Sequence, residues 1–345
     1  MKSILKALCA MDGVSGDEGV VRSNIRAMVE PFADEIREDR QGNLCVLRRG
    51  SASGDVVRMV CAHMDEVGFI VNHIDDHGYL MISPVGGIDL RVAMGRRLRV
   101  HGQHRTVFGI TGLTPVHLAN EEERQKTPKQ LYLDIGASSR EEAETVVAVG
   151  DFATFVTEPA DLGEGMFKAK AIDDRLGCAV MIELLRTQAP CAYDTWFVFS
   201  TREEVGGAGA KAASFALDPT EALVLEGTTA ADVAGVEGPK RVCCAGKGPV
   251  ISYMDRSAIY NPEMFRQLLR LAADNGIQTQ TKMLIAGGTD AGSITVSRAG
   301  IPCAGISAPV RYLHAPASVV SWADCEAILK LAALYLKSET ASQNN

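Results

Sequence analysis

The sequence predicts an α/β fold: a mixed-sheet domain made of residues 1–68 and 165–345, interrupted by a small β-barrel-like insertion over 69–164. Three observations predict it. Toward both ends, apolar strand-like runs such as "VVRMVCAH" and "TWFVFST" alternate with helical patterns, which implies a sheet with covering helices. Between about 70 and 162 the pattern changes to short β-type runs broken by Gly, Pro and Asp, the signature of a small β-rich unit. The chain also has 345 residues and a 46% apolar composition, more than one single-core domain usually holds.

The elements follow in order. "MKSILKALCAMDG" reads as an amphipathic helix. Ser15 followed by Glu18 forms a capping box ahead of a second helix, "VVRSNIRAMVEPF". "NLCVLRR" is a strand after a Gly42-Asn43 turn, and "VVRMVCAH" is apolar enough to be a buried parallel strand. The insertion carries "YLMISPV", "RRLRVHG", "TVFGITG", "LYLDIGA" and "DFATFVTEP", with one helix announced by Ser139 and Glu142. Then come a helix from "AIDDRLGCAVMIELLRT", the strands "TWFVFST" and "EALVLEG", a helix "NPEMFRQLLRLAADNG" stopped by Gly276, and a last helix "SWADCEAILKLAALYLKSE". The tail "ETASQNN" is expected to be disordered.

Composition excludes several classes of function. A formal charge of −8 offers no basic field, so nucleic acid and anionic membranes are not expected partners. No run of about 18 apolar residues marks a membrane span. The N-terminus lacks the long apolar core and cleavage site of a signal peptide. The nine cysteines are odd in number and form no C-x-x-C pair, which argues against a disulfide framework or zinc ribbon. They read as small core residues in a reducing cytoplasm.

Ligand sites in open α/β sheets lie beyond the C-terminal ends of strands. His63 and Asp65 follow "VVRMVC", Asp173 and Asp174 close the insertion, Glu203 and Glu204 follow "TWFVFST", Glu226 follows "ALVL", and His314 lies in "APVRYLHAP". Singly, each has a plain structural reading. A histidine at a strand end is usually structural, paired aspartates often cap helices, and paired glutamates suit a helix's first turn. Together, two histidines and several carboxylates at strand ends match a hydrolytic dinuclear metal site with N/O ligation suited to zinc, cobalt or manganese. The i, i+2 spacing of His63 and Asp65 lets the carboxylate hold the imidazole's second N–H.

The motifs "AHMDEVGF", "AIDDRLG", "REEVGGAGA", "VLEGTTAADVAG", "GGTDAGSI" and "RYLHAP" resemble, in order and over nearly the whole chain, those of metallopeptidase family 42, the tetrahedral (TET) aminopeptidases. The resemblance implies an aminopeptidase acting on peptides with two divalent metal ions per subunit. Asp173 would bridge them, His63 and Glu226 would complete one, and Glu204 and His314 the other. Glu203 would be the general base and Asp65 would orient His63. Asp174 would support the bridge through a cis peptide, and Thr289 and Asp290 would lie in the vicinity. The substrate's free amine would approach the metal held by His63 and Glu226. The insertion would be a dimerisation domain, and dimers would assemble into a hollow twelve-subunit tetrahedron. Two positions depart from the commoner pattern: Glu226 stands where aspartate is common and Arg202 where glutamine is.

Other readings use the same residues. A related dinuclear deacylase or carboxypeptidase shares the His-x-Asp and Glu-Glu logic but not the full motif set. An inactive oligomeric scaffold would not need every ligand and the base. A cellulase, a label some relatives carry, would need aromatic sugar platforms that Trp196 and Trp322 alone do not supply. Nucleotide binding at "GGAGAKAA" lacks both a Gly-x-Gly-x-x-Gly and a P-loop.

Overall fold

A computed structural model describes residues 1–52, 54–102, 105–112, 117–118 and 131–339, so the tail beyond 339 lies outside the described residues. Three strands precede the insertion: β1 (Glu35–Glu38), β2 (Leu44–Arg48) and β3 (Val57–His63). The next six are β4 (Gly68–Ile74), β5 (Leu80–Val85), β6 (Arg97–His101), β7 (Thr106–Thr111), β8 (Leu131–Asp134) and β9 (Phe152–Phe155). The last seven are β10 (Ala160–Leu162), β11 (Met166–Ala169), β12 (Asp194–Ser200), β13 (Glu221–Thr229), β14 (Val250–Ser252), β15 (Cys303–Val310) and β16 (Ser318–Ser321).

The main sheet runs β1-β2-β12-β3-β13-β15-β14, with β12, β3, β13 and β15 parallel and the outer pairings antiparallel. This is the mixed sheet the sequence implies. Its central strands are apolar because both faces are covered. One face packs on helices Ile172–Arg186, Trp322–Lys337, Pro262–Asp274, Lys2–Ala10 and Gly19–Val29. The other packs on Ala208–Leu217 and Ala291–Thr295. The insertion's strands close into a barrel, β4-β5-β8-β7-β6-β9, filled by Phe69, Leu98, Leu133 and Phe155. Strands β10, β11 and β16 form a small third sheet.

Local signals hold unevenly. Ser139 caps its helix by accepting from Glu142 N, and Asn261 caps Pro262–Asp274 by accepting from Glu263 N and Met264 N. The expected capping box at Ser15 does not form. That helix begins at Gly19 and no side chain caps it; Ser15 donates to Asp65 beyond β3, and Glu18 accepts from Gly16 N at 2.8 Å and from Arg202 N beyond β12. Strand β15 and the short strands β1, β14 and β16 carry no turn or alternation signal of their own; pairing within the sheets makes them strands.

Buried arginines tie the layers together. Arg58 is fully buried, donates to Glu221 Oε1 at 2.6 Å, and donates to the carbonyls of Tyr335 and Leu336 at 3.0 and 3.1 Å. It thereby adds a donor at the end of the last helix, where Ser338 N also donates to Tyr335 O and Ala192 N to Leu336 O. Asp12 joins the barrel to the main domain through Arg99 and His101 of β6, with Lys170 at 3.1 Å. Burial alone would raise the Asp12 carboxyl, but His101, Lys170 and Arg99 hold it far below the usual carboxylate range.

These ties set the response to mutation and to pH. Arg58→Ala, which strands Glu221 in the core, should cost about 3–5 kcal/mol in chemical denaturation. Because the folded pKa of Asp12 is depressed, its stabilisation is present above the unfolded value of about 3.9 and fades as pH falls below it. Asp12→Asn should therefore be less stable than the unmodified protein at neutral pH, with a gap that narrows as melting curves are taken into acid.

Candidate metal centre

The parallel register brings the strand ends level: Ser200 lies beside His63, and Glu226 beside Ser307. His63 is the last residue of β3, Glu203 and Glu204 follow β12, Glu226 lies within β13, and His314 follows β15. Asp173 and Asp174 begin the helix Ile172–Arg186 with non-helical backbone, joined by a cis peptide bond. Helical geometry starts only after them, which frees both carboxylates from the helix face.

The two imidazoles converge on Asp173. His63 Nε2 lies 3.5 Å from Asp173 Oδ1, and His314 Nε2 lies 3.5 Å from Asp173 Oδ2. His63 Nε2 is also 3.0 Å from Glu226 Oε1 and 3.9 Å from Glu203 Oε2, while His314 Nε2 is 3.2 Å from Glu204 Oε1. Backbone carbonyls fix both rings. His63 Nδ1 is 3.1 Å from Asp65 O, and His314 Nδ1 is 2.9 Å from Gly87 O. A carbonyl only accepts, so each Nδ1 carries the proton and each Nε2 faces the carboxylates.

Asp65 does more than the sequence suggests. Its main-chain carbonyl is the nearer partner of His63, with the carboxylate at 3.5 Å. The carboxylate instead accepts from Ser15 Oγ at 2.6 Å, Glu203 N at 3.1 Å and Glu204 N at 3.2 Å, which fixes the loop that carries the glutamate pair. Glu18 supports the same loop by accepting from Arg202 N at 3.2 Å. Arg202 sits at φ 58°, and its guanidinium donates to Gln41 Oε1 at 2.6 Å.

The charge balance is lopsided. Asp65, Asp173, Asp174, Glu203, Glu204, Glu226 and Asp290 crowd around two histidines, all of them wholly or largely buried. Burial, with neighbouring carboxylates, pushes Asp174, Glu203 and Glu226 well above the ordinary range, and lifts Asp290 to about 6. Asp173 is held low because both histidines outweigh its burial. Burial would lower His314, but Asp173 and Glu204 carry it up to about 11. The field at the centre of the cluster thus favours positive charge.

Buried oxygens are left over as well. Glu226 Oε2 and Asp174 Oδ2 accept no hydrogen bond, while Glu204 Oε1 faces His314 Nε2 at 3.2 Å. Ligand atoms of His63, Asp173 and Glu204 lie within 4.8 Å of one another, as do those of Asp173, Asp174 and Glu226. Imidazole nitrogens and carboxylate oxygens in this density fit divalent cations such as zinc, cobalt or manganese.

Asp290 lies at the edge of this cluster and also faces Cys61 Sγ at 3.5 Å. It accepts from Ser200 Oγ at 2.6 Å behind the strands. Thr289 lines the cavity and is hydrogen-bonded to Tyr260 and Asp255. That cavity, about 470 Å³, opens beside Asp173, Glu203, Glu204, Glu226 and His314. Ser15, Glu18, Gly87 and Lys282 also bear on the site. Only Ser15 and Glu18 leave a sequence signal, and it points to a helix cap.

The family described as M42 glutamyl aminopeptidase matches residues 42–331. The chain belongs to this family. Membership places it among the aminopeptidases, which are hydrolases of peptide bonds. It is 33% identical to the lysyl aminopeptidase of Pyrococcus furiosus over 97% of this chain and 96% of that one. Its fold matches an aminopeptidase of the archaeon Desulfurococcus kamchatkensis with a TM-score of 0.93 at 33% identity, covering 99% and 95% of the two chains. It likewise matches the TET1 peptidase of Pyrococcus horikoshii, which assembles into a tetrahedron or an octahedral shell (TM-score 0.87, 32% identity, 98% and 99% covered).

Gly227 tests how tightly Asp173 is placed. Its N–H donates to Asp173 Oδ1 at 3.1 Å, and a Cβ there would sit 2.8 Å from that oxygen. Gly227→Ala, whose added Cβ would also meet Asp173 Cβ and Cγ at 2.9 Å, should lower the melting temperature and weaken cobalt binding, followed by titration, by about tenfold or more.

Proposed function

We propose that this M42-family chain is a dinuclear-metal aminopeptidase that removes N-terminal residues from peptides by activating water. Two divalent cations, zinc by preference and cobalt or manganese as alternatives, would be held with Asp173 shared between them, His63 and Glu226 completing one and Glu204 and His314 the other. The observation that carries this reading is the pair of Nε2 atoms flanking the two oxygens of one buried carboxylate. When bound, the cations supply Lewis acidity that makes water acidic near neutral pH and stabilises an oxyanion.

The remaining work belongs to side chains of this protein. Glu203 borders the cavity, and its burial raises its proton affinity, which suits a general base. It takes the proton of the attacking water and returns it to the departing amine. Asp65 holds Glu203 and Glu204 in place through their backbone N–H groups, so that neighbouring residues serve as base and ligand without exchanging roles. The surplus of carboxylates suits a substrate's free α-ammonium.

The domain assignment is part of the same proposal. Residues 1–68 and 165–345 form the catalytic domain, and 69–164 the dimerisation domain, whose strand β7 exposes Phe108 and Ile110. Dimers join into a tetrahedral dodecamer, as likeness to the TET1 peptidase supports. Peptides are the substrates, and neither nucleic acid nor membrane is a partner. No helix among the described residues is long and apolar enough to cross a membrane, and the nine free cysteines suit a cytoplasmic setting.

Glu203→Gln should lower kcat on aminoacyl anilides by about 10²-fold or more while metal content by elemental analysis stays at that of the unmodified protein. Dialysis against a chelator should abolish turnover and lower the melting temperature, and zinc or cobalt should restore both. Full activity in metal-free protein would sink the reading.

A further inference from the structure

The dinuclear reading gives Glu226 to one cation and His314 to the other, and the role found here for Asp232 and Arg311 rests on it. Glu226 is fixed by its strand. Strands β13 and β15 stay paired as far as Thr229 and Val310, and Ala230 N still donates to Val310 O at 2.9 Å. His314 lies past that point, in the loop between β15 and β16. There it and Tyr312 take φ values of 58° and 57°, which are unfavourable for bulky residues unless contacts enforce them. A backbone exchange closes the base of the loop: Arg311 N donates to Val319 O at 2.9 Å, and Val319 N to Arg311 O at 3.0 Å. Ser318 Oγ donates to Tyr312 O at 2.9 Å. These bonds tie the loop to β16, not to β13.

Arg311 makes the tie to the β13 side. Its Nε and Nη2 donate to Asp232 Oδ1 and Oδ2 at 2.8 and 2.7 Å. The pair is largely shielded, with the two side chains 30% and 10% exposed. Asp232 lies in the segment that continues from β13, and its Oδ2 also accepts from Ala245 N at 3.1 Å. Burial would raise the Asp232 carboxyl, but Arg311 holds it below its usual range, so both partners are charged. A planar guanidinium gripped at two points is held in orientation, where a lysine would offer a single point charge. Neither residue is among those lining the cavity, although Thr229 and Leu313 of the same two segments are. We propose that Asp232 and Arg311 are positioning residues for the metal centre: their forked ion pair sets where the His314 loop stands relative to β13, and so places His314 Nε2 against Asp173 and Glu204.

Cobalt alone is the probe, added to the whole chain after a chelator has stripped it and followed by visible absorption. The unmodified protein should take up two equivalents. Asp232→Asn keeps the shape and loses the charge; it should weaken one equivalent by about tenfold or more and leave the other within about twofold. Arg311→Lys keeps the charge and loses the fork, and should do the same. His314→Ala removes the ligand itself. In that background Asp232→Asn should cause no further loss of cobalt affinity, because the pair acts through His314.

Unchanged binding of both equivalents in the two variants overturns the inference. Equal weakening of both equivalents overturns it too and makes the pair a general support of the fold. So does a loss in Asp232→Asn that persists undiminished in the His314→Ala background. Should Asp232→Asn fail to fold, Arg311→Lys, alone and combined with His314→Ala, decides by the same outcomes. If the unmodified protein binds fewer than two equivalents, the dinuclear reading itself falls and takes this inference with it.

Discussion

The constraint on which this structure turns is the burial of negative charge where four parallel strands end. Seven carboxyl groups gather there against two imidazoles, and low-dielectric surroundings make ionisation of the full set unfavourable. The fold divides them. Asp65 and Asp173 stay ionised because each has histidine or N–H partners that outweigh its burial. Asp174, Glu203, Glu204, Glu226 and Asp290 are all pushed toward the neutral acid. Divalent cations invert this logic by making ionised carboxylates the favoured form around them. The same electrostatics therefore connects metal affinity, the proton affinity of Glu203 and the stability of the strand ends.

Holding such a cluster needs support from outside it. Ala171, Arg202 and His314 adopt positive φ values, which cost about 1–3 kcal/mol each unless the surroundings enforce them. Arg202 is enforced by Glu18 and Gln41, and His314 by Gly87. Arg175, fully buried two residues after Asp173, donates to Met64 O at 2.6 Å and Leu8 O at 2.8 Å. It therefore ties the start of the Asp173 helix to the segment between His63 and Asp65, and to the end of the first helix. These three of the eight positive-φ non-glycine positions among the described residues thus lie at or beside the proposed ligands, and the rigidity there is supplied from the core.

The parts of this arrangement that are legible in the sequence are those encoded locally. Strands such as β3 and β12 announce themselves by composition, and polar residues directly beyond a strand end are visible as motifs, which is how His63, Asp173, Glu203, Glu204, Glu226 and His314 can be named. Ser15 and Glu18 mislead because a capping box and a pair of long-range hydrogen-bond partners use the same residue types at the same spacing. Gly87 is invisible, since only its backbone carbonyl matters and any residue has one. Lys282 follows no strand end and belongs to no motif; its place in the cavity wall is a property of packing alone. The departure at Arg202 is explained by its contact with Gln41, which the sequence cannot pair with it.

Two of the contacts between residues 69–164 and the main-sheet domain differ in character. The Asp12 cluster with Arg99 and His101 is an ionic clamp set back from the cavity. The Gly87 carbonyl reaches into the site itself and sets the tautomer of His314. Gly87 follows β5, a barrel strand, so the orientation of one proposed ligand depends on how the barrel sits against the main sheet. A movement of a few tenths of an ångström at that carbonyl would turn Nε2 relative to Asp173 and Glu204. If copies of the chain associate through the barrel, association would fix the position of Gly87 as well. Assembly and ligand geometry would then depend on one rigid element, while the Gly87 carbonyl already makes the insertion part of the site's construction.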